Sequence, residues 1–167
     1  MPVQTGRTAS KWVKFYLGDS AATIREIPVD SIGSFSLAYE EVDLTAFQDA
    51  VKGFLTNTPD FALEVSGPFD TAVAQAASGS ASAPALSGSH TVLSPLVGLL
   101  VPLSWAVCFG MRQYYFTGEP AFGQTKTAAS GVILVDYAVD PAGVKYTAKF
   151  RLFPGSALPT WTNAIPT

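Results

Sequence analysis

His90 is the one histidine of the chain and Cys108 the one cysteine, so Ser-His-Asp or Cys-His catalysis would have to use these positions. His90 follows a Gly/Ser-rich stretch and precedes an apolar run, and no nucleophile-elbow sequence accompanies it. Cys108 lies in an alternating apolar segment and reads as a buried thiol. Alone it allows no intrachain disulfide, and the Cys/His spacing of a structural zinc site is absent. Glu40, Glu41 and Asp43 cluster, but neighbours on an extended segment point to opposite faces, which suits solvent or interface charges better than an acid/base pair. Walker A, GxGxxG, HExxH and EF-hand patterns are all missing. Arg112, Lys126 and Lys145 are not interleaved with aromatics as a base-stacking platform requires. The expectation is a non-enzyme with no cofactor and no metal.

The bulk properties agree. A chain of 167 residues suits one domain, here 1–167, with attached arms. A net charge of -3 with only 14% charged residues gives no basic footprint for nucleic acid. Weak charge beside 48% hydrophobic content points to assembly, which hides apolar surface between subunits. The first residues, MPVQTGRTASK (arm 1–11), lack the apolar core of a signal peptide. The apolar run 92–109 approaches bilayer-spanning length, but Ser94, Pro95, Gly98, Pro102 and Ser104 interrupt it, so it reads as soluble interior, with no membrane partner.

The elements that must position these residues are mostly strands. Residues 12–17 and 23–29 flank the turn pair Gly18-Asp19 and predict a hairpin. Period-two alternation predicts half-buried strands over 34–42 and 61–66, the latter with Phe61, Leu63 and Val65 opposite Ala62, Glu64 and Ser66. Between them, DLTAFQDAVKGFL (43–55) spaces Leu44, Phe47, Val51 and Phe54 like a helix. Thr45 and Gln48 have capping-box spacing, Asp43 is a rival N-cap, and Thr56-Asn57-Thr58-Pro59 stops the element. So short a helix must bury its stripe, and a lid on a sheet is expected. The Ala/Ser-rich 70–89 stretch cannot offset its ordering entropy and predicts a flexible loop. Residues 90–102, broken by Pro95 and Gly98, predict a turn-rich or helical piece. A strand follows, with Leu103, Trp105, Val107, Phe109 and Met111 on one face.

The strongest pairing signal is GVILVDYAVDPAGVKYTAKFRLF (131–153), two alternating strands about Asp140-Pro141-Ala142-Gly143. On the second strand Val144, Tyr146, Ala148, Phe150 and Leu152 face one way. Lys145, Thr147, Lys149 and Arg151 face the other, toward solvent or an acidic neighbour. The Pro-rich end, arm 154–167, carries Trp161 and Ile165 and is expected to pack on an adjacent subunit.

Two patches, EVDLTAFQDAVKGFLTNTPDFALEVSGPFD (41–70) and TGEPAFGQTKTAASGVILVDYAVDPAGVKYTAKFRLFPG (117–155), resemble the tail tube, or major tail, proteins of long-tailed bacteriophages. The segment SGSHTVLSPLVG (87–98) is similar to that family's His-containing apolar segment; the Ala/Ser-rich loop and the Pro-rich end depart from it. The resemblance implies a mainly β fold, a tail-tube-like β-sandwich or barrel with one short flanking α-helix, a long loop and extended terminal arms. It further implies a virion structural protein, made in the host cytoplasm, that assembles with itself into rings, commonly hexameric. These stack into a tube, meet other tail proteins and pass DNA without binding it specifically. Under it Glu40 and Glu64 become candidates to face the lumen and repel phosphates, and Asp49 and Lys52 to meet a neighbouring subunit. Lys145, Lys149, Arg151, Trp161 and Ile165 are the further interface candidates. Two alternatives stand beside it: another virion protein, such as a capsid decoration or head-completion protein, and a small-ligand-binding β-barrel lined by Trp105, Phe109 and Tyr114.

Overall fold

The computed structural model describes residues 13–33, 35, 61–72, 87–110, 118 and 120–165, together with the backbone of 41–43 and 54–56. In chain order its strands are β1 (Val13–Gly18), β2 (Ile24–Ile27), β3 (Ser31–Ile32), β4 (Glu41–Asp43), β5 (Phe54–Thr56), β6 (Ala62–Pro68), β7 (Trp105–Phe109), β8 (Ala121–Gln124), β9 (Val132–Asp140), β10 (Lys145–Leu152) and β11 (Thr160–Thr162). A short helix α1 (Ser89–Leu93) runs into a single 3-10 turn (Ser94–Leu96).

Hairpin β1–β2 forms where the sequence predicts it, because Asp19 organises the turn. Its carboxylate accepts the N–H groups of Ala21 and Thr23 and pairs with Arg25 at 3.0 Å. β1 then continues into a five-stranded antiparallel sheet of order β11-β8-β7-β1-β2. The predicted late hairpin is also present as β9–β10, and β6 and β3 extend it into a four-stranded sheet of order β3-β6-β10-β9.

The two sheets face each other across one core. Phe15, Leu17, Ile27, Trp105, Val107 and Phe122 come from the first sheet. Leu63, Val65, Val132, Leu134, Tyr146, Ala148 and Phe150 come from the second, with Phe61 just ahead of it. Aromatic rings tie the layers: Phe15 meets Phe150 at 5.8 Å between centroids, and Phe61 meets Trp105 at 5.2 Å. Val92, Leu93 and Leu96 of the helical piece are buried in the same cluster. A bridge between Leu103 and Val132 joins the two sheets at one corner, giving the sandwich a barrel-like closure there.

Three features depart from the sequence reading. The segment 43–55 is not a continuous helix: Asp43 pairs with Phe54 and Val42 with Leu55 in a two-stranded β4–β5 ladder, so both ends are extended. Residues 44–53, with Asp49 and Lys52, lie outside the described residues, as do 36–40 with Glu40. The helix that is described is α1, in the piece that Pro95 and Gly98 mark. Second, the face of β7 opposite the core is buried beyond the Cys108 thiol that the sequence predicts. Ala106 and Cys108 join Tyr16 and Ala121 in a separate cluster against which Ile24 and Ile165 pack. Third, β9 carries a bulge. Leu134 pairs with Phe150 and Asp136 with Lys149, so Val135 is an extra residue. The slip turns Tyr137 and Val139 to the face of Leu134 and sends Asp136 outward to Lys149.

Candidate assembly surface

The positions that first suggest chemistry are held in structural contacts. The His90 ring packs on Phe69 at 4.8 Å, and its Nδ1 lies 2.9 Å from the Tyr137 hydroxyl, so it links α1 to the far half of β9. The neighbouring Ser89 hydroxyl donates to the Pro68 carbonyl and accepts the Asp70 N–H, which occupies it away from the imidazole. Burial raises the Tyr137 and Tyr146 phenols above their ordinary values, and Tyr146 Oη donates to the Pro28 carbonyl. Cys108 is buried. Among the described residues no three His, Cys, Asp or Glu side chains gather as metal ligands, and no helix is long and apolar enough to cross a membrane.

Four of the candidate site residues come together. Glu64, Lys145, Lys149 and Arg151 share the outer face of the four-stranded sheet. Lys149 lies between Glu64 (3.7 Å) and Asp136 (4.0 Å), its cross-strand neighbours on either side. Lys145 donates to Asp30 at 2.6 Å and holds that carboxyl below its ordinary value. The acidic neighbour expected for the basic side of β10 is thus partly supplied by the chain itself. Exposed pairs of this kind contribute little to stability, so they align strands more than they hold the fold.

The C-terminal segment also docks within the chain. Gln124 donates to the Ala157 carbonyl, Ala157 donates to the Ser130 hydroxyl, and β11 then adds to the edge of β8. Trp161 rests on Phe109 and Phe122 at 5.6 and 5.1 Å yet remains 61% exposed, and Ile165 is part-buried on the Ala106/Cys108 cluster. Trp105 is wholly buried against Phe61 and Phe122, so it lines no cavity, and Tyr114 lies outside the described residues.

Sequence reasoning missed the exposed aliphatic surface. The run 92–109 is interior only in part: Val97, Leu100 and Val101 are 59%, 72% and 44% exposed. Pro95 and Gly98, the latter at φ +79°, end the helical piece and turn the chain outward, and within 97–101 it is Leu99 that reaches back to the core. Val135, at the bulge, and Val139 are exposed on β9, an end strand of its sheet whose outer edge, past the Leu103 bridge, meets no strand among the described residues. An open edge of this length is a template for another chain. At the other end of β1 and β7, Val13, Val29, Ile32, Phe35 and Phe109 line a groove of 310 Å³.

Among the described residues this architecture is that of a mainly β sandwich with one short helix and an open strand edge. No protein-family model matches the sequence, and no curated protein does. Among solved structures, a chain of the cryo-EM structure of the anti-feeding prophage (AFP) baseplate, 6-fold symmetrised, matches with a TM-score of 0.57 at 8% sequence identity. The match covers 95% of this chain and 97% of that one. At that identity the likeness is one of fold.

Proposed function

We propose that this chain is a structural subunit of a phage-type tail, without catalytic activity. Its copies close into rings that stack into the tube through which DNA passes. The observation that carries this reading is the fold likeness, which runs nearly end to end on both chains and relates this protein to a chain of a six-fold assembly. The two resembling patches, 41–70 and 117–155, add to it independently. So does the open β9 edge beside exposed Val135 and Val139, which suits a subunit that meets its neighbours through sheets.

In this reading the partners are further copies of the chain and other tail proteins, and the location is the virion tail. Glu64 remains a lumen candidate with its whole sheet face. There Asp30, Glu64, Asp136 and Asp140 stand against Lys145, Lys149 and Arg151, a local net charge of -1. Such a balance attracts DNA little and lets it slide. Light scattering of the purified chain tests the ring: a mass near six times 17.6 kDa, or a multiple of it, is expected, and a monomer at all concentrations contradicts it.

The neighbour's place in a baseplate favours a second reading, a ring of the baseplate that does not repeat along a tube. Isolated rings that never stack would select it.

A further inference from the structure

The 97–101 loop and the groove beside Phe109 lie at opposite ends of the same two strands. The Gly18 N–H donates to Ser104 O, which ties the base of the loop to the end of β1, while Val13, at the start of β1, and Phe109, at the end of β7, line the groove. Loop and groove are therefore separated by about 17 Å of strand.

We propose that the 97–101 loop of one copy seats in this groove of the next copy. This head-to-tail contact rests on the tail-subunit reading and supplies its stacking step. The loop is a preformed knob. Val97 and Leu99 donate their N–H groups to the Ser94 and Leu96 carbonyls, Leu99 is anchored in the core, and the Leu103–Val132 bridge clamps the far side. Presenting Val97, Leu100 and Val101 thus costs little further ordering on binding. No charged residue occurs from 91 to 111, so burying the knob strands no charge of its own chain segment.

The groove matches it in chemistry and in size. Among the described residues of its lining Asp30 is the one acidic or basic side chain, and Lys145 already pairs with it. A volume of 310 Å³ stands at the small end of the about 300–1,000 Å³ range of ligand pockets, which suits a few aliphatic side chains rather than a helix. Trp161, packed on Phe109 and largely exposed, adds the kind of aromatic anchor on which interfaces concentrate their energy. Because donor and acceptor occupy different ends of one chain, the contact is heterologous. It repeats along an axis instead of closing on itself.

Paired cysteines test this in the full chain. Leu100→Cys and Ser31→Cys place thiols on the knob and on an exposed groove residue, whereas native Cys108 is 2% exposed. Under mild oxidation the double variant should give a ladder of disulfide-linked multimers on a non-reducing gel, and each single variant no more than dimers. Leu100→Asp should raise the concentration needed for tubes at least about tenfold with an unchanged melting temperature. Tubes without a ladder, or tubes of Leu100→Asp at the wild-type concentration, overturn the contact while the tail reading stands. An unaltered chain that never assembles overturns both.

Discussion

A methyl group at position 123 has nowhere to go. A Cβ built there would overlap the Trp105 carbonyl oxygen and lie 2.7 Å from Ala106 Cα, both backbone atoms of β7. Gly123→Ala should therefore lower stability by about 2–4 kcal/mol in a denaturant melt, because only separation of β7 and β8 relieves the clash. A cost below about 0.5 kcal/mol would show that the two strands do not pair as described. At Asp30 the effect is electrostatic. The hydrogen bond from Lys145 holds its carboxyl below the ordinary value of 3.8, so the folded state binds its proton less readily than the unfolded chain. That contribution is complete above the ordinary value and is lost as pH falls through the lowered one. Asp30→Asn should flatten the acid side of the stability profile and leave its shape near neutral pH unchanged, a comparison that melts across pH 2–7 make directly. His90 belongs at this scale too: Tyr137→Phe removes its hydroxyl partner and should cost about 0.5–1.5 kcal/mol in the same melts. An equal loss in a His90→Ala background would show that the two side chains do not act on each other.

Strands were legible wherever one face is apolar and the other polar. The alternation of 61–66 became β6 with Phe61, Leu63 and Val65 buried, and that of 131–153 became β9–β10. The pattern does not report slips, however. Val135 follows Leu134 in an unbroken apolar run, and only pairing with β10 reveals the bulge that turns Asp136 outward. A deletion distinguishes the bulge from a regular strand. Removing Val135 leaves every facing of β9 intact and should cost no more than about 1 kcal/mol. Removing Thr147 turns buried Tyr146 outward and should cost at least about 3 kcal/mol. Similar costs for the two deletions would contradict the assigned register. Two-sided burial of β7 was legible only faintly, in the small size of Ala106 and Cys108, since an outward face of small residues is equally compatible with solvent. The ends of 43–55 were misread, because the apolar spacing that carries a helix through Phe54 does not show that Asp43 and Phe54 are paired partners on neighbouring strands; 44–53 lie outside the described residues. The exposed loop was misread for the same reason, since composition counts Val97, Leu100 and Val101 as apolar and cannot tell a core residue from a contact residue.

At the scale of the whole molecule, the sandwich leaves three surfaces a solitary domain has little use for: the β9 edge, the 97–101 loop, and Trp161 over Phe109. Each is apolar or unpaired in one copy, and together they account for a weakly charged chain of high hydrophobic content. Their distribution over an edge and both ends of the sandwich suits growth in two directions, around a ring and along a stack. The interface candidates Lys145, Lys149 and Arg151 lie on a different face, where two of the three are already paired within the chain. Salt should consequently weaken assembly little, because the contacts proposed to carry it are apolar. Negative-stain electron microscopy of the purified chain tests the central claim most directly. The account predicts hollow tubes of one diameter whose rings show six-fold symmetry, and dispersed monomers at high concentration would contradict it.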